Sequence, residues 1–122
     1  GLWIIDLSPK NSKRKKIYET DKKQIIADLE GVALLDLGGG KGYLFVSVQG
    51  ANTYAIFDRQ TLKLLAIFNI SESEHIGKVE DTDGIEVINN NRFSYFIAQD
   101  GFNRGHQNYK LVPLQDILSK IK

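Results

Sequence analysis

Short β-type segments that recur in the same order, about 50 residues apart, constrain this fold more than any other feature of the sequence. Each segment is rich in β-branched, aromatic or leucine side chains, as strands are. The corresponding segments are 33–35 and 85–87, 45–50 and 96–101, and 54–56 and 109–111. The repeat therefore predicts two copies of one antiparallel β unit.

Turn residues set the predicted pairing of the strands. The glycine-rich stretch 38–42 separates two apolar runs and predicts a β-hairpin. The apolar segments 53–58 and 64–70 continue this hairpin into a four-stranded meander. A three-stranded meander follows, with strands near 85–88, 94–98 and 109–112. Segments 2–5 and 16–19 flank a basic loop at the start of the chain and are expected to pair.

A short helix is predicted at the end of the chain. Leu114, Ile117, Leu118 and Ile121 recur at the spacing of one helical face, and Pro113 stands where a helix begins. We therefore expect an all-β fold of antiparallel sheets that closes on one short amphipathic helix.

The length of the repeat predicts the architecture. Four-stranded units repeating every 40 to 50 residues or so are typical of blades of a β-propeller. The predicted strands amount to the last two of one blade, a complete blade, and three of another. Because a propeller needs at least about four blades to close, we expect either a fragment of a propeller or several copies assembled into a ring.

Composition excludes several function classes. The chain of 122 residues has a formal charge of +1, so no overall field favours nucleic acid or an anionic membrane. The basic run 10–16 is interpreted as a solvated hairpin loop, with a polyanion contact as the alternative. No apolar run approaches the roughly 20 residues that span a bilayer. The lack of any Cys or Met favours a mature secreted or periplasmic protein.

Oxygen-bearing side chains are concentrated at four predicted turns, at 28–31, 47–52, 81–85 and 99–103. Carboxylate and amide oxygens without Cys suit hard cations such as Ca²⁺ rather than Zn²⁺. In a propeller, turns that precede the first strand of each blade converge at one end of the central channel. The pattern therefore favours a multi-metal site, while solvated turns with Asp capping the local backbone are the alternative.

These residues resemble the β-propeller phytases, which are calcium-dependent phosphatases of bacteria. The resemblance is to the C-terminal third of that six-bladed domain and covers nearly the whole chain, so that residues 1–122 are expected to be the C-terminal part of one propeller domain. The matching segments are 1–3, 27–31, 39–44, 49–56, 81–85, 98–101 and 108–113.

The resemblance implies an enzyme that removes phosphates from phytate, myo-inositol hexakisphosphate, with several Ca²⁺ ions. Carried over by position, Asp28, Glu30, Gln49 and Asp83 would be calcium ligands of the active site. Of these, Glu30 and Asp83 are also assigned to catalysis. Two further residues, Asp100 and Asn103, match a calcium loop with a structural role. The expected partners are the phytate substrate and either the remaining blades or further copies of the chain.

The sequence departs from the family pattern at two places. The family has an acidic residue six positions before the Asp that matches Asp83, but here that position is Gly77. The loop after Asn103 continues as Arg104-Gly105-His106 and lacks a further acidic residue. The family's phosphate-binding Lys and Arg come from earlier blades, so we expect this chain alone to be inactive. A non-catalytic domain that binds calcium or inositol phosphates is the alternative.

Overall fold

The structure, a computed structural model, describes the chain except residues 9, 11, 12 and 122 and the side chain of residue 103. Part of the predicted basic loop therefore lies outside the described residues. The described elements are nine strands, a short 3-10 turn at Gln49–Ala51 and one α-helix. They are β1 (Leu2–Ile5), β2 (Arg14–Tyr18), β3 (Leu29–Gly38), β4 (Lys41–Val48), β5 (Thr53–Asp58), β6 (Leu64–Phe68), β7 (Ile85–Asn89), β8 (Ser94–Asn103), β9 (His106–Pro113) and α1 (Leu114–Leu118).

The strands form three antiparallel sheets, with the orders β1-β2, β3-β4-β5-β6 and β7-β8-β9. The all-β prediction, the two meanders and the N-terminal hairpin are thereby confirmed. Each sheet is built from consecutive strands, because short turns bring neighbouring segments of the chain together. The three sheets remain separate, and the described strands do not close into a ring.

Two tight turns explain where the long hairpins end. Gly39 and Gly40 join β3 to β4 with positive φ angles of 59° and 77°, which glycine adopts at little steric cost. Arg104 and Gly105 join β8 to β9 with φ angles of 51° and 85°. Two successive positive φ angles match the twist of the flanking strands. The prediction of a loop at 99–103 was therefore wrong, because β8 continues through these residues to Asn103.

A similar correction applies to the predicted turn at 28–31. Strand β3 already begins at Leu29, which pairs with Val48, so Glu30 and Gly31 are strand residues. Asp28 alone of the predicted turn precedes the strand.

The middle sheet is buried on both faces. Along β5, Tyr54 and Ile56 pack towards the third sheet, whereas Ala55 and Phe57 pack towards the first. Successive side chains of a strand point to opposite faces, so a strand covered on both sides reads as a continuous apolar run. The two core clusters thus lie between successive sheets.

Helix α1 seals the edge of one core cluster. Leu114 and Ile117 are buried against this cluster, and the helix starts directly after Pro113 as predicted. It ends at Leu118, so Ile121 lies just beyond it. Among the described residues, no helix has the length and apolar character needed to cross a membrane.

Tyr54 links the core to a polar contact. Its hydroxyl donates a hydrogen bond of 2.9 Å to the Thr82 hydroxyl, and both residues are fully buried. Burial raises the pKa of Tyr54 to about 12. An unfolded tyrosine ionises near pH 10. The stability that the neutral phenol provides is therefore complete below pH 10 and is lost as the pH rises towards 12.

Replacing Tyr54 with Phe is expected to lower the free energy of unfolding by about 1–2 kcal/mol at pH 8, because Thr82 loses its partner. At pH 11 the difference in the free energy of unfolding between wild type and variant should be smaller by about 1.4 kcal/mol, because only the wild type carries the ionisable phenol of Tyr54. Urea unfolding at both pH values measures this difference. The exposed Tyr109 provides the matched control, Tyr109→Phe. A gap that stays constant between pH 8 and pH 11 would contradict the prediction.

Candidate functional site

The site lies where the first strands of two successive sheets meet. Strands β3 and β7 are neighbours in space, and the segment before β7 lies against the start of β3. Gly31 is so close to this segment that an added Cβ would lie 2.6 Å from the carbonyl oxygen of Asp83. The contact explains why the smallest residue stands here, since any side chain would push the two strands apart.

The amide of Gln49 joins the two acidic segments. Its Nε2 donates hydrogen bonds to Oδ1 of Asp83 at 2.6 Å and to Oδ1 of Asp81 at 3.0 Å. Its backbone N–H donates to the carbonyl oxygen of Asp28 at 3.0 Å. Hydrogen bonds to a carboxylate are stronger than those between neutral groups. One residue at the end of β4 therefore gathers two carboxylates and one carbonyl oxygen around it.

Three polar side chains hold the backbone that carries the two carboxylates. Asn52 Oδ1 accepts the Asp81 N–H at 2.7 Å, and Gln99 Oε1 accepts the Asp83 N–H at 2.9 Å. The buried Ser47 hydroxyl donates to the Asp83 carbonyl at 2.7 Å and accepts the Gly31 N–H at 2.7 Å. Backbone polar groups that are paired in this way have little freedom to move. The two carboxylates, both exposed, are thus presented to solvent from a fixed support.

Of the residues that the sequence predicted as one centre, the structure joins the side chains of Gln49 and Asp83 and places the backbone carbonyl of Asp28 against the backbone of Gln49. Glu30 is exposed in β3, directly before Gly31. The structure adds Asp81, which had no assigned role, because its carboxylate accepts a hydrogen bond from the Gln49 side chain.

Ser47, Asn52 and Gln99 were not predicted as site residues. They lie in segments singled out for oxygen-bearing side chains, but their contacts with Asp81 and Asp83 span 16 to 36 positions of the chain. No local spacing reveals such pairs.

Asp100 lies behind the same segment rather than among the exposed carboxylates. It is buried, and its Oδ1 accepts the backbone N–H groups of Glu80 at 3.2 Å and Phe102 at 3.3 Å. Its Oδ2 lies 3.4 Å from Nζ of Lys110. Asn103 pairs through its backbone with His106, and its predicted ligand side chain lies outside the described residues. The calcium roles of Asp100 and Asn103 stay predictions.

Comparison with known proteins identifies the family. The sequence matches the Phytase family over residues 1–122, the whole of the chain. The chain belongs to the phytase family. It is also 34% identical over 129 aligned residues to a 3-phytase of Bacillus subtilis (strain 168), with 96% of this chain covered. The alignment covers 34% of that relative, so this phytase-family chain spans about a third of its length.

The donor set of the phytase-family chain fits a hard cation in its chemistry. The Gln49 amide holds a partly positive group between two carboxylates, where an oxygen-seeking cation would also be attracted. No three acidic, His or Cys side chains of the described residues form a group that could hold a metal ion by themselves. Ca²⁺ takes six to eight oxygen ligands or so, which is more than Gln49, Asp81 and Asp83 offer.

Gly31→Ala tests the close approach of β3 to Asp83 in the phytase-family chain. The added methyl group would overlap the Asp83 carbonyl, which is backbone and has few ways to yield. We expect the free energy of unfolding to fall by about 1–3 kcal/mol, as for other overpacked sites. Denaturant unfolding measures the change.

Gly84→Ala is the matched control for Gly31→Ala. It lies one residue after Asp83, and an added Cβ there would meet no atom within 4 Å. We expect its stability to stay within about 0.5 kcal/mol of wild type. Equal losses in the two variants would show that the contact between Gly31 and Asp83 has no special weight.

Proposed function

We propose that this chain forms the C-terminal third of a six-bladed β-propeller that hydrolyses the phosphate monoesters of phytate with Ca²⁺. Membership of the phytase family and the similarity to a protein named 3-phytase support the reaction. The observation that carries the proposal within the structure is the Gln49 amide, which gathers Asp81 and Asp83 at the junction of two sheets.

The packing of the sheets supports the propeller. Three sheets of consecutive antiparallel strands follow one another, and the middle sheet packs on both faces. The first strands of the second and third sheets, β3 and β7, are neighbours. Blades of a propeller are four-stranded sheets arranged around a central channel. In this arrangement β3 and β7 would line the channel, and the site would lie at one of its ends.

The residues that would hold Ca²⁺ are Asp28, Glu30, Gln49 and Asp83, with Asp81 added by the structure. Bound Ca²⁺ would neutralise substrate phosphates and make water a stronger nucleophile. Ser47 and Gln99 hold the backbone of Asp83, and its exposed carboxylate would orient the reacting groups. Glu30, exposed at the second position of β3, would accept the proton of the attacking water at its carboxylate.

We also propose what completes the site and where the protein is located. The remaining ligands and the cationic groups for phosphate would come from other blades, either of the same chain or of further copies in a ring. We propose that the protein is secreted or periplasmic, and the support for this is the composition, which has neither Cys nor Met.

The second candidate is a non-catalytic phytase-like domain that binds calcium or inositol phosphates. The observation in its favour is Gly77, which stands where the family pattern has a carboxylate. Gly77 lies beside the ammonium group of Lys110. Binding without hydrolysis distinguishes this candidate from the first.

Phosphate release from phytate by the complete protein, with all residues of its natural chain, tests the proposal. We expect release in calcium, loss on chelation with EGTA, and recovery when calcium is added back. Activity that is unchanged by EGTA would overturn the calcium mechanism. Calcium-dependent binding of phytate without release would establish the second candidate. The solution mass of the 122-residue chain, measured with and without calcium, shows whether copies assemble into a ring.

A further inference from the structure

We propose that the ammonium group of Lys110, and not a metal ion, is the cation that neutralises the buried carboxylate of Asp100. Through this ion pair, Lys110 acts as a positioning residue for the segment that carries Asp81 and Asp83. The ion pair between Asp100 and Lys110 does not depend on which reaction the protein catalyses. The effect of the ion pair on activity rests on the proposed function.

Both side chains of the ion pair, Asp100 and Lys110, are largely shielded from solvent. The Asp100 side chain is 2% exposed and that of Lys110 is 11% exposed, while Oδ2 and Nζ lie 3.4 Å apart. Oδ2 makes no hydrogen bond to the described residues, so the charge of Lys110 is its nearest compensation. A buried carboxylate without a counter-charge is strongly unfavourable. The ion pair supplies this counter-charge from β9, the neighbouring strand.

A glycine and a cavity lie beside the ammonium group of Lys110. An added Cβ at Gly77 would lie 3.5 Å from Nζ of Lys110, so a glycine faces the ammonium where the resembling family has a carboxylate. A cavity of about 470 Å³ adjoins this point and is lined by Lys78 and Arg104 as well as Lys110. The cavity also carries Glu72, Glu74 and Glu80, of which Glu80 is paired with Lys78 at 3.0 Å.

A divalent cation beside Asp100 would therefore stand next to an ammonium group. Two like charges a few Å apart repel strongly where water is excluded. The described residues near Asp100 do not fit the calcium loop that the resemblance implied. Asp100 is not among the residues that line the cavity, so the space there does not by itself place an ion at its carboxylate.

Asp100 connects Lys110 to the candidate site. Its Oδ1 accepts the Glu80 N–H, and the Gly101 N–H donates to the Glu80 carbonyl at 2.9 Å. An added Cβ at Gly101 would lie 2.5 Å from the carbonyl oxygen of Asp81. The Asp100 ion pair thus fixes the backbone from which the exposed carboxylates project.

A double-mutant cycle in the complete protein tests the ion pair. Asp100→Asn and Lys110→Met, alone and combined, are compared by thermal unfolding in EGTA and in calcium. We expect each single variant to lower Tm by several degrees and the double variant to be little worse than either, because both remove one interaction. Lys110→Arg, which keeps the charge, should recover most of the loss. A loss of Tm in the double variant that equals the sum of the two single losses would overturn the proposal.

The calcium response separates the two cation assignments. If Lys110 is the partner, the calcium-dependent rise in Tm and the calcium concentration for half-maximal activity should change to the same extent in Asp100→Asn and in Lys110→Met, because both variants break the same ion pair. A smaller rise in Asp100→Asn than in Lys110→Met would identify Asp100 as a calcium ligand and would overturn the proposal. If wild type shows no calcium response at all, the proposed function fails, while the cycle in EGTA still decides the ion pair.

Discussion

Replacing Phe96 with Ala should lower the free energy of unfolding by about 3–5 kcal/mol, the range for large aromatic residues in a core. Phe96 is fully buried, and its ring lies between those of Tyr54, Phe45 and Phe68, with centroids 5.0, 5.3 and 5.6 Å away. It is the main aromatic contribution of β8 to the core between the second and third sheets. The loss is a large part of the 5–15 kcal/mol or so that stabilises a typical domain.

Phe102→Ala is the matched control for Phe96→Ala. Both residues lie in β8, but Phe102 is 65% exposed. We expect its truncation to change stability by less than about 0.5 kcal/mol. Chemical denaturation of the two variants, compared with wild type, measures the difference. Similar losses at the two positions would mean that the third sheet does not pack on the second through Phe96.

Asp83→Asn should lower calcium-dependent phytate hydrolysis by the complete protein by more than about 100-fold. The change keeps the shape of the side chain but removes the charge that would hold a cation. Loss of residues that merely support metal ligands typically costs 10- to 100-fold or so, and a ligand itself should cost at least as much. Its amide would also face the Nε2 of Gln49, which now donates to Oδ1 at 2.6 Å.

The control for Asp83→Asn is Asp116→Asn, which makes the same chemical change at an exposed position of α1. We expect full activity in Asp116→Asn and a similar Tm in both variants. Initial rates over a series of calcium concentrations measure the effect. If Asp83→Asn retains wild-type rates at every calcium concentration, Asp83 has no part in the reaction.

The strands and turns of this chain are largely predictable because they depend on local rules. A continuous apolar run at 54–57 and glycines at 38–42 specify strand and turn without reference to distant residues. The predictions failed at 29–31 and 99–103, where polar and glycine residues are typical of turns but lie in β3 and β8. Tertiary pairing overrode local preference there, since Leu29 pairs with Val48 and Asp100 pairs with Asn108.

Some residues of the candidate site could likewise be predicted from short motifs, whereas others could be found only in the tertiary structure. The resemblance selected Asp28, Glu30, Gln49 and Asp83 from their motifs, because each motif is a short run of adjacent residues. It could not select Asp81, whose carboxylate is engaged by an amide 32 positions away. Nor could it show that Asp100 is buried and paired with Lys110.

The sequence by itself determined the strand order, the two repeated units, the C-terminal helix and the family, since periodicity, turn residues and motifs are local. The tertiary structure alone decided which side chains meet between sheets, such as Gln49 with Asp83 and Ser47 with Gly31. It also decided that Asp100 faces an ammonium group rather than solvent. The physical reason is that such contacts depend on how whole sheets pack, and burial makes each polar group require a partner wherever packing places it.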